Sequence, residues 1–576
     1  MAHYKVDERD VRFVLNEYLK VGDLTKYPRF DGFSAEDFDM VITEALKFAQ
    51  TEIAELNEES DSVGARFEDG KVLMPEGFHR VYKTFGENGW IGIAAPPDLG
   101  GQGFPFSVAM AAWEFFSGAC CAFTLTPHLT AGAADLIATF GSDELKQIFC
   151  EKMYSGVWAG TMDLTEPQAG SDVGAIRTAA KPLDPDKGLY KIVGNKIFIS
   201  GGDHDLTENI IHLVLARIEG APKGIWGVSL FVVPKYRVNP DGSIGEFNDI
   251  SCISIEEKMG IHGSPTCVLN FGDNDNCIGQ LVGEPHKGIK YMFLLMNEAR
   301  LFVGLQGVSL AATAYMNALD YAKERIQFRH LKDDRAHDAP PVPIIEHPDV
   351  RRMLMFMKSV SEATRAMLYK AAYHHDIAHA SEDEKEREYH QDMVDLLTPI
   401  CKAYGSDMAF RVTEYGIQVF GGYGYCREYP MEQYCRDVKI ASIYEGTNGI
   451  QALDLLGRKL TLKKGQLFMS YMQELAGFID SNTDHPKLAK YVKKLADARD
   501  VLAQVTLGFG GMIKNPDEFY VPFLNACPYL EMFGHVLSAH LLLDMAVVAD
   551  RELNRIFEEK GAGTDEARRE IVRDHD

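Results

Sequence analysis

Glu445 is a carboxylate placed where a base could work. In the run Ser442-Ile443-Tyr444-Glu445-Gly446-Thr447-Asn448-Gly449-Ile450-Gln451 it stands between an aromatic ring and a glycine, after an apolar approach. An ionised Glu near apolar neighbours loses hydration, which raises its proton affinity and makes it a better acceptor at neutral pH. Gly446 lets a ligand come close to the backbone, and Thr447 and Asn448 offer side chains that can cap a helix running on through Leu453, Leu455 and Leu456. Taken alone, the same run is an acid at a helix start, where acids are favoured.

Five other stretches carry suitable chemistry. In Thr161-Met162-Asp163-Leu164-Thr165-Glu166-Pro167-Gln168-Ala169-Gly170-Ser171-Asp172-Val173-Gly174, two glycines permit close backbone approach, and Thr165, Ser171 and exposed amides offer hydrogen bonds to a polar cofactor. In Gly194-Asn195-Lys196-Ile197-Phe198-Ile199-Ser200-Gly201-Gly202, a strand places Phe198 and Ser200 two residues apart, hence on one face, where a flat ring system can rest. Asn297-Glu298-Ala299-Arg300 and Arg325-Ile326-Gln327-Phe328 bring arginines of the kind expected near phosphate oxygens. Gln418-Val419-Phe420-Gly421-Gly422-Tyr423-Gly424-Tyr425 allows a chain or ligand to approach its glycines. Each has a plain reading too: a turn, a strand end, a surface charge, a helix stop. No Gly-x-Gly-x-x-Gly opens a strand-helix unit, so a Rossmann dinucleotide site is not indicated.

The elements that must position these residues follow from periodicity. Ser34 with Asp37 resembles a capping box, and Phe38, Val41, Ile42, Ala45, Leu46, Ala49, Ile53 and Leu56 then recur at helical spacing. Further helices are predicted over 77–86 and 107–117, giving a helical domain over 34–160 behind a short N-terminal extension, 1–33. Short β-branched segments at 189–193, 196–200, 211–216 and 228–233 predict an antiparallel β domain over 161–280. Helices return over 291–325, 350–380 and 396–420, forming a bundle over 281–460, and an additional helical region with a charged tail covers 461–576, its last dozen or so residues predicted to be disordered. This is an α+β arrangement with the sheet segregated in the middle.

Composition narrows the function classes. A chain of 576 residues is expected to form two to four domains. Its formal net charge of -25 disfavours nucleic acid or an anionic membrane as main partner, though a local basic pocket remains possible. The start has no apolar h-region and no uninterrupted apolar run long enough to span a bilayer is found, so a cytoplasmic location is expected. The ten cysteines show no Cys-x-x-Cys and read as reduced core thiols. His374-His375 and His379 lack a His-Glu-x-x-His and read as a solvated helix face, so no metal is expected.

Taken in order, Thr165-Glu166-Pro167 with Gly170-Ser171-Asp172-Val173, Gly194-x-Lys196-x-Phe198-Ile199-Ser200, Lys258-Met259-Gly260 with Ser264-Pro265-Thr266, Arg325-x-x-Phe328, Gln418-x-Phe420-Gly421-Gly422-x-Gly424, and Arg436-Asp437-x-Lys439 with Tyr444-Glu445-Gly446-Thr447 resemble the ordered motifs of the flavin-dependent acyl-CoA dehydrogenase family. The resemblance covers about 35–460, and the length, the insertion at 343–350 and the added C-terminal region resemble a long branch of that family.

The resemblance implies FAD as cofactor, an acyl-CoA thioester as substrate, electron-transfer flavoprotein as acceptor and a homodimer or homotetramer. Met162, Leu164, Thr165, Gly170 and Ser171 would line the FAD, with Ser171 also near CoA; Phe198, Ile199 and Ser200 would meet the flavin. Arg325 and Phe328 would reach FAD across a subunit contact, Gln418, Gly421 and Gly422 would hold its adenosine end, and Thr447 would touch it as well. Asn297 and Arg300 would meet CoA, and Tyr444, Glu445 and Gly446 the thioester. Glu445 would take the α-proton while a hydride leaves the β-carbon for the flavin, with the Glu445 backbone N–H stabilising the enolate oxygen. The chain departs from the family where Arg329, not Gly, follows Phe328, and where Ala299 precedes Arg300. That leaves Glu445 without a rival base there, since the helical neighbour Glu298 points about 100° away. An acyl-CoA oxidase using oxygen is the nearest competitor, and a non-catalytic relative serving binding or assembly the more distant one. Phe123, Thr124, Leu125 and Pro127, which the resemblance places at the far end of the acyl pocket, carry no charge and favour an uncharged acyl group.

Overall fold

Three hydrophobic clusters account for most of the interior, one inside the helical layers, one where helices meet the sheet and one within the β domain. The computed structural model describes residues 4–574 except Asp334, Ala336 and His337.

The first long helix, α1 (Ala35–Phe48), starts as its sequence requires. Ser34 accepts from the Asp37 N–H at 3.3 Å and Asp37 accepts from the Ser34 N–H at 2.8 Å, a complete capping box. The predicted single run to Leu56 divides instead: a π turn at Ala49–Ile53 interrupts it before a short helix at Leu56–Ser62. The helices α2 (Phe106–Ala119) and α3 (Cys121–Phe140) complete the part of this domain that faces the site. Buried Glu114 on α2 receives hydrogen bonds from Nε and Nη2 of Arg365 and one from the Tyr369 hydroxyl at 2.6 Å, tying α2 to the later bundle.

The β domain is an eight-stranded sheet. Its strands are β1 (Trp158–Asp163), β2 (Ala179–Asp184), β3 (Leu189–Ser200), β4 (Asn209–Ile218), β5 (Val228–Pro234), β6 (Ile250–Ile255), β7 (Thr266–Phe271) and β8 (Ile278–Leu281). The order is β6-β7-β3-β8-β5-β4-β1, with β2 paired to β3 and β4. The antiparallel expectation holds except at β1–β4 and β2–β4, which are parallel. Residues 164–208 provide the long connection that a β1–β4 parallel pairing needs. Gly160 on β1 lets α3 come close, since a Cβ there would sit 2.7 Å from that of Ala133.

The bundle contains α4 (Gly288–Glu324), α5 (Pro348–Ala380) and α6 (Glu384–Phe420), each starting before its predicted first residue, and the short helix α7 (Asn448–Asp454). The acidic run 381–388 is a helix start: Asp383 accepts from the N–H groups of Lys385 and Glu386. Between α4 and α5, Pro341–Pro343 forms a short strand paired with Ile326–Arg329. His374 is not solvated as expected but buried, its Nδ1 2.7 Å from that of His390, because α5 turns this face into the bundle.

The additional region packs α8 (Gln466–Asn482), α9 (Ala489–Met512) and α10 (Ala526–Glu559) onto the bundle. Gly534 of α10 is needed there, because a Cβ would lie 2.3 Å from the Tyr404 ring of α6. The α10 helix is long and apolar enough to cross a membrane by composition alone, contrary to the sequence expectation, but half of that window is buried inside the protein. The tail predicted to be disordered folds over Asp565–Asp574, where Phe557, Ala562 and Ile571 bury one another.

Candidate active site

Glu445 adopts a left-handed backbone conformation, φ 54°, which a residue with a Cβ enters only at a cost of order 1–3 kcal/mol. What holds it there is its own carbonyl, which accepts from Arg300 Nε at 3.4 Å and from Gln451 Nε2 at 3.3 Å. Gly446 follows at φ 83°, and a Cβ on it would meet Gln451 Nε2 at 2.7 Å. Thr447 then caps α7 by accepting from the Ile450 N–H at 3.2 Å. The turn is therefore clamped on both sides of Glu445 while the side chain of that residue is left out of the clamp. Among the described residues, no hydrogen bond or ion pair holds the half-buried Glu445 carboxylate. Burial raises its proton affinity above the ordinary carboxylate range, against the opposing charges of Arg300 and Lys402. Tyr444 is fixed by its hydroxyl donating to Gln306.

Arg300, expected at CoA, is 3% exposed and turned inward, with a guanidinium nitrogen 3.7 Å from Asp454 as well as its bond to Glu445. Asn297, one turn earlier on α4, is half-buried, and its Oδ1 lacks a hydrogen-bond partner.

The candidate cofactor wall is built from β1, β3 and the turn after β1. Met162, Leu164 and Thr165 are half-buried, and Gly170 and Ser171 are exposed. On β3 the pairing slips by one residue between Lys196 and Ile199, and Phe198 takes φ 58° inside that bulge. The slip breaks the period-two pattern between Lys196 and Ile199, while Phe198 and Ser200 still alternate with buried Ile199. Phe198 is 58% exposed, Ile199 is buried and Ser200 is half-buried. A solvent-facing ring held in strained backbone, on a strand whose Ile197 N–H donates to the Thr165 carbonyl at 3.0 Å, fits a flat heterocycle with a polar edge.

Arg325, Phe328, Gln418, Gly421 and Gly422 gather at the far end of α4 and α6, all exposed. Arg325 lies 5.8 Å from the Tyr423 ring centroid, Phe328 takes φ 60°, and nothing lies within 4 Å of where a Cβ on Gly421 or Gly422 would be. Phe123, Thr124, Leu125 and Pro127 are buried in α3.

Sequence reasoning missed the residues that hold the turn after β1. Lys196 and Glu166, quoted only as motif letters, form a buried ion pair at 2.9 Å. Lys196 also donates to the Leu164 carbonyl at 3.0 Å, and Glu166 accepts from Thr178 Oγ1 at 2.6 Å. Likewise Asp437 accepts from the Ile261 N–H at 2.6 Å, and Gly260 must lack a Cβ because Asp437 would lie 2.6 Å from it. A Lys at an inward strand position was the available signal, since buried charges demand partners.

Comparison with known proteins adds independent support. The acyl-CoA dehydrogenase N-terminal, middle and C-terminal domain families match residues 35–157, 161–274 and 286–460, and a family described as acetyl-CoA dehydrogenase C-terminal like matches 471–570. A butyryl-CoA dehydrogenase of Syntrophomonas wolfei is 40% identical over 97% of this chain and 92% of its own length. The chain belongs to the acyl-CoA dehydrogenase family. A 3-methylmercaptopropionyl-CoA dehydrogenase of Ruegeria pomeroyi is 38% identical over 96% of this chain and 92% of its own length. The fold is shared with an acyl-CoA dehydrogenase of Bacillus anthracis solved with FAD, at a TM-score of 0.70 and 24% identity over 93% of this chain and 85% of that one. Members of this family are flavoprotein oxidoreductases that use FAD, and the residues of β1 and β3 suit that cofactor. Among the described residues no His, Cys, Asp and Glu group could hold a metal ion.

Proposed function

We propose that the protein desaturates an uncharged acyl-CoA thioester between its α and β carbons, with Glu445 as the base. The observation that carries this reading is a carboxylate of raised proton affinity, strained in backbone and left without an ion pair. Bound FAD supplies the acceptor for the hydride that leaves the β-carbon. Glu445 takes the α-proton onto its carboxylate, and its backbone N–H is assigned to the thioester oxygen, where negative charge develops as that proton leaves. Tyr444 and Gly446 flank the thioester, and Asn297 offers its unpartnered Oδ1 to CoA. The buried apolar wall of α3 supports an acyl group without a second carboxylate.

Electron-transfer flavoprotein is our assignment for the acceptor, and exposed Phe198 supports a docking partner on the flavin side. The exposed aromatic cluster of Tyr423, Tyr425 and Phe328 supports a dimer or tetramer contact at the Arg325 end. Half-burial of α10 in the protein supports a cytoplasmic location.

A panel of acyl-CoA thioesters with linear, branched, cyclic and sulfur-containing chains, scored by anaerobic bleaching of the bound flavin, tests the reading. At least one uncharged thioester is expected to bleach it in the wild type and not in Glu445→Gln. Bleaching by none, or undiminished bleaching in the variant, overturns it. Peroxide matching turnover in air would make the protein an oxidase instead.

A further inference from the structure

Lys402 is a fully buried lysine on α6 whose charge interacts with that of Glu445, and nothing in the proposed reaction uses it. Its Nζ donates to Asn448 Oδ1 at 2.9 Å. Asn448 is the first residue of α7, three positions past Glu445, and its amide donates to the Ala403 carbonyl at 3.2 Å and to Ser406 Oγ at 2.9 Å. One end of the base turn is thus bolted to α6 through a charged group. An ammonium has three donors, and a buried one persists only where nearby negative charge repays its lost hydration.

We propose that Lys402 is a positioning residue for the base: its buried ammonium sets the charge felt by the Glu445 carboxylate while anchoring Asn448. This rests on the reading of Glu445 as the base. Burial lowers the proton affinity of Lys402 to about 7, with Glu445 and Asp407 raising it and Arg300 lowering it further. Those three are the charges that act on it, from the base turn, from its own helix and from α4. On the other side of α6, α10 directs Glu531 to Arg411 at 3.3 Å and His535 to the Tyr404 hydroxyl at 3.0 Å. Glu445 in turn is held down by Arg300 and Lys402. Arg300 keeps its charge throughout, so Lys402 is the partner whose protonation changes near neutrality. While it is charged, Glu445 stays ionised to lower pH; once it is neutral, the carboxylate becomes the stronger base.

The test uses the FAD-loaded full chain. Infrared difference spectra across a pH series follow the C=O stretch of the protonated carboxylic acid, and its loss in Glu445→Gln assigns the band. In Lys402→Met the midpoint is expected to move up by about one pH unit, giving about a tenfold loss on the acid limb of the bleaching rate. Lys402→Arg, which keeps the charge, is expected to return both toward wild type. Asn448→Ala, which breaks the anchor but keeps the charge, is expected to leave the midpoint in place. An unmoved midpoint in Lys402→Met, or a shift of equal size in Asn448→Ala, would make Lys402 a structural bolt only and overturns the proposal. Should Lys402→Met lose FAD or fail to fold, the Asn448→Ala and Lys402→Arg midpoints decide. The infrared readout needs no substrate, so a shifted midpoint in a protein whose flavin no thioester bleaches would sink the desaturation reading and leave this one standing.

Discussion

Glu166 and Glu445 are the same residue type at two walls of one candidate site, and their surroundings push them in opposite directions. Glu166 accepts five hydrogen bonds, from Gln168, Lys196, Thr178 Oγ1 and the N–H groups of Arg177 and Thr178. Burial alone would raise its proton affinity, but Lys196 and those donors outweigh it and hold the group at about 2. Glu445 is desolvated as well, yet its turn spends its hydrogen bonds on the carbonyl and leaves the carboxylate to the charges of Arg300 and Lys402, neither of which is bonded to it among the described residues. Burial therefore does not decide what a carboxylate does; the number of donors aimed at its oxygens does. Glu166 stays ionised and holds the turn after β1, whereas Glu445 is free to change protonation.

The sharpest break between the two comes from the same substitution at each. Glu445→Gln is expected to slow flavin bleaching by about 10²–10⁴-fold, the range for a lost acid–base group, with FAD content and melting temperature unchanged. Glu166→Gln is expected to do the reverse. It strands a fully buried Lys196, at a cost of about 3–5 kcal/mol, so melting temperature and FAD retention fall while the bleaching rate per bound flavin holds. Replacing both partners, Glu166→Gln with Lys196→Met, is expected to recover most of the melting temperature. Slow bleaching in a stable, flavin-loaded Glu166→Gln protein would erase the distinction.

The two groups also separate along the pH axis. Glu445 binds its proton more tightly in the folded protein than in the unfolded chain, so the rate falls first as pH drops through a value above the ordinary 4.5. Glu166 is the opposite case. Its folded value of about 2 lies below the ordinary 4.5, so its contribution to stability is complete above 4.5 and is lost as pH falls from there through about 2. Parallel titrations of bleaching rate and of flavin release are expected to show reversible loss of rate well before release. Release first, or both together, would place the two carboxylates in one class.

Much of this was legible in the chain, and the losses have physical reasons. Ser34 with Asp37 announced a helix start that forms as a complete capping box, and the Tyr-Glu-Gly-Thr run announced a turn followed by a capped helix. Period-two alternation could not foresee the bulge that turns Phe198 to solvent, because a bulge adds a residue without changing composition. Parallel strand pairing was equally hidden, being a property of the connection at 164–208 rather than of either strand. The roles of Lys196, Lys402 and Asp437 depend on partners 30, 43 and 176 residues away, beyond the reach of local pattern. Buried His374 was misread for the same reason: which face of a helix meets another helix is settled by topology.

Thr447 gives the smallest and most discriminating contrast, since it belongs to the turn that carries Glu445 and contributes a hydroxyl rather than a charge. Its Oγ1 accepts from the Ile450 N–H at 3.2 Å, and losing an N-cap of this kind costs about 1 kcal/mol. Thr447→Ala is therefore expected to lower the melting temperature by a few degrees, far less than Glu166→Gln, and Thr447→Ser to restore it. If the hydroxyl serves only as a cap, FAD affinity in Thr447→Ala follows the small stability change. If it also touches FAD, as the resemblance implies, FAD dissociates more readily than the melting shift accounts for, and Thr447→Ser repairs both. The Glu445 carboxylate needs α7 to start where it does, because Gln451 on that helix holds its carbonyl. A frayed α7 would therefore also loosen the left-handed turn, and a drop in bleaching rate in Thr447→Ala at saturating FAD measures how far the strain at Glu445 depends on the cap.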